Sequence, residues 1–235
     1  MPWSQPAARM REFILAMQAI WECWAEGTKL DFRGDFYEHT LMTPFFNPGP
    51  NAHGAPKVFL AAVGELMTKV CGEVADGMLC HGFTTESYLR EVTLPALGAG
   101  LEAGGRTRAD LELSLPGFVV TGTTEEEHAA AAKGVREQIA FYGSTPAYRG
   151  VLEHHGWGDL QTELNALSKE GKWVEMGERI DDDILATFAV VAEPDAVGDA
   201  LLARFGDLVD RMSFYVPYRT APDLFAPAIE QLRAA

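Results

Sequence analysis

Short apolar runs and longer amphipathic stretches follow one another along the chain. The run Lys57–Val63 is followed by Gly64, and Glu65–Val74 then carries apolar residues at helical spacing. Ala75-Asp76-Gly77 turns the chain into a second apolar run, Met78-Leu79-Cys80. The pattern predicts two parallel strands, buried on both faces, joined by a right-handed helical crossover.

Elsewhere the same periodicities predict helices, two more strands and one small hairpin. The amphipathic stretch after Ser4 predicts a helix that Gly27 ends, and Arg33-Gly34-Asp35 is the predicted hairpin turn. The strands are Leu111–Thr121, with a bulge or break at Pro116-Gly117, and Arg211–Val216. Further helices are predicted at 84–103, interrupted or bent near Pro95, 124–142, 144–155, 159–179 with an interruption at Gly171, 181–191, 193–205 and 221–234.

Glycine follows both central strands, at Val63-Gly64 and at Cys80-His81-Gly82. Parallel strands end at the same edge of their sheet, which is where α/β proteins bind ligands. A glycine there lets the backbone approach a ligand, and the next helix offers free N–H groups to an anion. Thr84 or Thr85 could cap the second helix. The alternative is ordinary turn chemistry.

Composition excludes several classes of protein. The chain has 235 residues, 47% hydrophobic and 23% charged, with a net charge of −15 and a pI near 4.7. This acidity argues against a nucleic-acid-binding protein. No secretory signal and no apolar run of membrane-spanning length is present, so a cytoplasmic protein without a membrane span is expected. No repeat or linker divides residues 1–235, and a single domain is predicted.

No metal site is predicted. Cys23, Cys71 and Cys80 lack C-x-x-C spacing and lie in apolar stretches typical of buried thiols. The adjacent His154 and His155 of a helix point in different directions, which does not suit a shared metal ion. Asp181-Asp182-Asp183 is interpreted as an acidic helix N-terminus.

The ordered set of short motifs along the chain resembles the luciferase-like monooxygenases, in the subgroup that uses the deazaflavin coenzyme F420. The matching pieces are Met-Pro-Trp-Ser at the start, Arg9-Met10-Arg11-Glu12, Phe32-x-Gly34-x-Phe36-Tyr37, Ala61-Ala62-Val63-Gly64, Ala75-Asp76-Gly77, Gly105-Arg106, Phe141-Tyr142-x-Ser144-Thr145-Pro146-x-Tyr148-Arg149, and Tyr215-Val216-Pro217-Tyr218.

The resemblance implies an α/β fold of the (β/α)8 or TIM-barrel type. The four predicted strands, Lys57–Val63, Gly77–His81, Leu111–Thr121 and Arg211–Val216, match strands five to eight, with insertion helices. The expected architecture is therefore a partial barrel that lacks strands one to four, and a fragment of a longer protein is the favoured interpretation. Four strands cannot close a barrel, so an unpaired sheet edge and an exposed apolar inner face are expected.

The resemblance also implies where a cofactor lies. Its phosphate is expected on the loops after strands five and six, at Gly64, Glu65 and Leu66 through backbone N–H groups, and at His81, Gly82, Phe83 and Thr84. Thr84 stands where some relatives carry a lysine, and the Glu65 side chain must turn away from a phosphate. Tyr142, Tyr148 and Arg149 lie in the insertion region, where a lid could form. No catalytic residue is assigned.

The expected function is hydride transfer between F420 and a small organic substrate, with activity of this chain in doubt because half of the barrel is missing. One alternative is an FMN-dependent monooxygenase that uses dioxygen. Another is a half-barrel without catalytic activity that binds a partner chain or a second copy of itself. A homo-oligomer is expected.

Overall fold

The computed structural model describes residues 4–234, so the predicted motif residues Met1, Pro2 and Trp3 lie outside the described residues. The chain divides into two units, one comprising Met1–Leu79 and Thr93–Glu112, the other Cys80–Val92 and Leu113–Ala235. The single domain predicted from the sequence stays a prediction. Among the described residues, no helix combines the length and apolar character needed to cross a membrane.

The first unit begins with helix α1, Pro6–Glu26, whose buried side chains include Ile14 and Cys23. Gly27 ends α1 at φ 67°, a left-handed conformation that glycine adopts without strain. The predicted hairpin follows as β1, Phe32–Arg33, paired antiparallel with β2, Glu38–His39. Prediction and structure agree for both elements.

A carboxylate holds the turn of this hairpin. Glu12 of α1 accepts hydrogen bonds from the N–H groups of Asp35, Phe36 and Tyr37 at 2.9, 2.7 and 2.5 Å. A Cβ atom on Gly34 would lie 2.2 Å from the Glu12 carboxyl carbon, so a larger residue would displace this carboxylate from the turn. The Arg-Gly-Asp tripeptide is a structural turn.

The predicted strand–helix–strand unit is confirmed. Strand β3, Phe59–Ala61, is joined by α2, Glu65–Val74, to β4, Gly77–Leu79, and the two strands pair in parallel. Burial on both faces is wrong, because Leu60 and Met78 are buried whereas Ala61 is exposed and Leu79 is 45% exposed. Within this unit, α2 packs closely on helix α4, Leu94–Ala103.

The interruption predicted near Pro95 is present, but it lies before the proline. A three-residue helix α3, Glu86–Tyr88, leads into a π-helical segment, Leu89–Thr93, after which α4 begins with Pro95 in its first turn. Proline has no N–H to donate to the preceding turn, so the regular hydrogen-bond ladder is interrupted at this point.

The second unit is built on strand β5, Glu112–Val120, which pairs in parallel with β6, Ala189–Val191, and β7, Arg211–Tyr215. The break predicted at Pro116-Gly117 is wrong, since β5 runs through both residues. The Pro116 carbonyl oxygen faces Gly82, a residue that follows the end of β4. No strand hydrogen bond is therefore lost through the missing N–H of Pro116. The helix predicted over 181–191 is wrong at its end, because Ala189–Val191 form strand β6.

Helices cover the second unit and supply its core. Val135, Ile139, Leu164 and Leu185 are buried together around Phe118 of β5. The helices are α5 Glu125–Gly143, α6 Arg149–His154, α7 Gly158–Lys169, α8 Trp173–Glu178, α9 Asp182–Phe188, α10 Val197–Phe205 and α11 Ala226–Ala234, with 3₁₀ turns at Pro146–Tyr148 and Pro222–Phe225.

Candidate functional site

The amino end of α2 is open. Gly64 is the N-cap and has no side chain to accept a hydrogen bond from the first turn, and Gly64, Glu65 and Leu66 are all exposed. No other group lies within 4 Å of the position where a Gly64 Cβ would stand. The first N–H groups of α2 are therefore accessible donors, and the helix dipole favours an anion there.

The Glu65 carboxylate is directed along the helix. It pairs with Lys69, one turn later, at 2.7 Å, and this pair and the Lys69 hydrogen bond lower the pKa of Glu65. Such an exposed pair contributes little stability. The pair matters for ligand binding, because Lys69 neutralises the Glu65 carboxylate that would otherwise repel an anion at this helix end.

In the second predicted loop only His81 is half-buried, since Gly82, Phe83 and Thr84 are all buried. A Cβ on Gly82 would lie 2.9 Å from the Tyr215 ring, so this position needs glycine for a close approach. Thr85 caps α3 by accepting from Tyr88 N–H at 3.2 Å. The hydroxyl of Thr84 is buried without a hydrogen-bond partner.

The seven predicted residues thus fall into two groups. Gly64, Glu65 and Leu66 belong to the first unit, and His81, Gly82, Phe83 and Thr84 to the second. Their binding role stays a prediction. The exposed end of α2 by itself suits an anion such as a phosphate. The buried Thr84 hydroxyl, in the other unit, is a polar atom that a bound group could satisfy.

His81 belongs to a group of stacked rings in the second unit that we call the aromatic cluster. Its ring lies 4.6 Å from the Tyr148 ring in a stacked arrangement and 4.7 Å from Tyr142 edge-on. Phe83 stacks on Phe188 at 4.7 Å, and Phe118 stacks on Tyr215 at 4.6 Å. The members are His81, Phe83, Phe118, Tyr142, Tyr148, Phe188 and Tyr215.

Hydrogen bonds fix the tautomer of His81. The Phe83 N–H donates to His81 Nδ1 at 3.0 Å, so this nitrogen must carry its lone pair. The proton of the neutral ring is then on Nε2, which donates to the Tyr148 hydroxyl oxygen at 3.3 Å. Burial lowers the pKa of His81, which favours the same neutral form.

Two further hydroxyls of the aromatic cluster share a short hydrogen bond. Tyr142 and Tyr215 lie 2.6 Å apart, oxygen to oxygen. Burial and this hydrogen bond raise the pKa of Tyr215, so its hydroxyl stays protonated at neutral pH. One of the two hydroxyls donates to the other and the second keeps its proton for an external acceptor.

Sequence reasoning named His81 and Phe83 but missed most of the aromatic cluster. The motifs included Tyr142, Tyr148 and Tyr215 but gave a possible location, a lid, only for the first two, and they included neither Phe118 nor Phe188. The available signal was the position of Tyr215 at the end of a predicted strand, the same kind of position as His81.

The other polar candidates have structural partners. His155 Nε2 lies 2.8 Å from the Thr85 hydroxyl, and His154 lies 3.6 Å from Glu91. Asp181 caps α9 by accepting from Ile184 N–H at 2.8 Å, as the acidic N-terminus predicted. Within residues 4–234, no three histidine, cysteine or acidic side chains gather as a metal site would require.

We expect His81 to make the stability of the fold depend on pH. Burial lowers its folded-state pKa, so its contribution is complete above the ordinary value of about 6.5 and is lost as the pH falls toward the folded pKa. His81→Asn keeps an acceptor for Phe83 N–H and does not titrate. In urea unfolding between pH 8 and 5, the stability of the wild type should fall relative to this variant. A constant difference would contradict this assignment.

A helix that begins directly after a parallel strand, as α2 does after β3, is a place where α/β proteins bind ligands. Comparison with known proteins gives the family. The luciferase-like monooxygenase family model matches residues 1–211, and the chain belongs to this family, as its motifs indicated.

Named relatives include F420-dependent enzymes. An uncharacterized protein of Mycobacterium tuberculosis is 55% identical over 212 residues, covering 90% of this chain and 62% of that protein. An F420-dependent glucose-6-phosphate dehydrogenase of Beutenbergia cavernae is 30% identical over 218 residues, covering 88% and 62%. The chain therefore spans less than two thirds of the length of these relatives.

The fold is similar to solved structures of the same kind. The coenzyme F420-dependent tetrahydromethanopterin reductase of Methanopyrus kandleri matches with a TM-score of 0.66 at 19% identity, covering 90% of this chain and 58% of that protein. At this identity the likeness establishes the fold, an α/β arrangement with parallel strands and many helices.

Proposed function

We propose that this chain is an F420-dependent oxidoreductase polypeptide acting on a small organic substrate. Membership of the luciferase-like family and the F420-dependent relatives support an oxidoreductase. The observation that carries the choice of site is the exposed amino end of α2, where Gly64 provides no cap and Glu65 is paired with Lys69. An anionic cofactor tail is a suitable ligand for such a helix end.

In this proposal the predicted residues have two roles. The backbone N–H groups at Gly64, Glu65 and Leu66 hold the anionic part of the cofactor. The loop His81–Thr84 offers the unpartnered Thr84 hydroxyl and the half-buried His81 ring. The cofactor, when bound, supplies the hydride chemistry, and the protein binds and orients the reactants.

We further propose that the chain is the part of the family barrel that contains strands five to eight, a cytoplasmic protein that functions as a homo-oligomer. The exposure of Val63 and Leu79, at 40% and 45%, supports an uncovered inner sheet face. Barrel interiors are normally filled with side chains from all strands. The same observation favours a second candidate function, a half-barrel without catalytic activity that binds a partner chain on this face.

Fluorescence titration tests the proposal. Purified chain is titrated with F420 and, separately, with FMN, and quenching of cofactor fluorescence is followed to saturation. We expect F420 to bind at micromolar concentration and more tightly than FMN. Binding of FMN alone would reject F420 as the cofactor and favour the FMN-dependent alternative. A compact dimer that binds neither cofactor would contradict the enzyme proposal and favour the half-barrel.

A further inference from the structure

A cavity lies at the carboxyl ends of the strands of the second unit. Its volume is about 450 Å³, and it is lined mainly by the segments that follow β5 and β7, together with Pro194 beyond the end of β6. Because these three strands are parallel, they end at the same edge of the sheet, where α/β proteins bind ligands. The volume suits a small molecule.

Tyr218 fixes the segment after β7 to the sheet. Its hydroxyl donates to the Val119 carbonyl oxygen of β5 at 3.0 Å. The next residue, Arg219, lines the cavity, and so does Asp223 on the 3₁₀ turn Pro222–Phe225. A guanidinium and a carboxylate are therefore placed on one wall of the cavity by a segment that is anchored on β5.

Arg219 and Asp223 carry opposite charges but do not pair with each other. Both side chains are exposed, and within residues 4–234 neither takes part in an ion pair or a side-chain hydrogen bond. The guanidinium is thus available for an anionic group of a ligand, and the carboxylate is available for a cationic group.

Glu127, in the first turn of α5, adds a second carboxylate to the lining. It accepts hydrogen bonds from the hydroxyl and the N–H of Thr123 at 2.6 and 2.8 Å, and these bonds lower its pKa, so it stays ionised at neutral pH. A purely anionic ligand would meet two carboxylates beside one guanidinium, and a purely cationic ligand would meet Arg219. A molecule with both charges can satisfy both.

Thr121 gives the cavity a polar group without a partner. The residue lines the cavity and is 1% exposed, and its hydroxyl is buried with no hydrogen-bond partner. Buried hydroxyls of folded proteins normally have one, and a polar group of a ligand could supply it here. Leu224, Pro194 and Pro227 add apolar surface to the lining.

From these observations we infer that the cavity binds a small zwitterion with an apolar side chain, of the α-amino acid class. Its carboxylate pairs with Arg219 and its ammonium group with Asp223, while the apolar part lies against Leu224. The inference goes beyond the proposed function, because it requires neither F420 nor the residues predicted to hold it.

Nuclear magnetic resonance of the Thr121 methyl group tests the inference on the full, isotope-labelled chain. The chain is titrated with L-leucine and with two analogues, 4-methylpentanoate, which lacks the ammonium group, and 3-methylbutylamine, which lacks the carboxylate. We expect a leucine Kd about threefold to tenfold lower than that of either analogue, the effect of one additional charged hydrogen bond at an exposed site.

Two variants assign the charges. Arg219→Gln should raise the Kd of leucine and of 4-methylpentanoate about threefold to tenfold without weakening 3-methylbutylamine. Asp223→Asn should raise the Kd of leucine and of 3-methylbutylamine by a similar factor without weakening 4-methylpentanoate. Arg233→Gln is the matched control, because Arg233 is an exposed arginine of α11 that does not line the cavity.

Three results would overturn the inference: a Thr121 signal that does not respond to leucine, an analogue that binds as tightly as leucine, or an Arg219→Gln variant that binds leucine as tightly as Arg233→Gln does. The comparison of the three ligands on the wild-type chain stands even where a variant folds poorly. Since no cofactor is added, the outcome is independent of the F420 titration, and either proposal can fail alone.

Discussion

Replacing Glu65 with proline is expected to weaken F420 binding about tenfold to a hundredfold relative to Glu65→Ala. Proline removes the N–H of the first residue of α2, and a hydrogen bond to a charged ligand contributes about 1.5–3 kcal/mol. The fold should tolerate the change, because proline is favoured at the first helical position. Gly64, with ψ 155°, already has the extended backbone that a residue before proline prefers.

Glu65→Ala is the matched control for this prediction. Both variants lose the carboxylate and its pair with Lys69, so their difference reports the N–H alone. Binding is measured by fluorescence titration, and thermal unfolding confirms that both variants are folded. Equal F420 affinity of the two variants would show that the amino end of α2 does not hold the cofactor.

The second large effect concerns the packing of α2 on α4. Gly100→Ala is expected to lower the free energy of unfolding by about 3 kcal/mol, because a Cβ at this position would lie 2.0 Å from the backbone oxygen of Lys69. A Cβ on Gly72 of α2 would likewise lie 2.3 Å from the backbone oxygen of Leu97 in α4, so the two helices approach closely at both glycines. Urea unfolding at constant pH measures the loss.

Gly98→Ala, on the same helix, provides the comparison. A Cβ there meets no atom within 4 Å and the residue is exposed, so the higher helix propensity of alanine should stabilise the fold by up to about 1 kcal/mol. If Gly100→Ala were as stable as Gly98→Ala, the close contact between α2 and α4 would be wrong.

Helices and long strands were predictable because their periodicity is local. The spacing of Ile14, Met17 and Trp21 predicted α1, and Gly27 marked its end, as the structure confirms. Strand β6 was not predicted, because Ala189–Val191 follow α9 directly, without a turn residue between them. Three apolar residues cannot distinguish a strand from the last turn of a helix.

The faces of the strands could not be predicted from apolar content. Val63 and Leu79 lie in apolar runs of the kind that doubly covered strands show, yet both are substantially exposed. An apolar run shows that a strand could be buried on both faces, but it does not show whether other elements cover those faces. Pro116 was similarly misleading, because the cost of a missing N–H depends on whether a neighbouring strand reaches that position.

The candidate site was predictable in part. Glycine after β3 identified the open end of α2 correctly as a place where the backbone is exposed. The aromatic cluster was not predictable, because Tyr148 is 67 positions from His81 and Tyr215 is 73 positions from Tyr142. A tyrosine looks the same in the sequence whether it packs in a core or faces a ligand.

The most direct test of the F420 proposal is to follow backbone amide signals of the isotope-labelled chain while F420 is added. We predict saturable shifts of the Gly64, Glu65 and Leu66 amides, with smaller changes at His81–Thr84, at the concentrations at which cofactor fluorescence is quenched. Binding that leaves the three α2 amides unmoved, or no binding of F420 at all, would contradict the proposal.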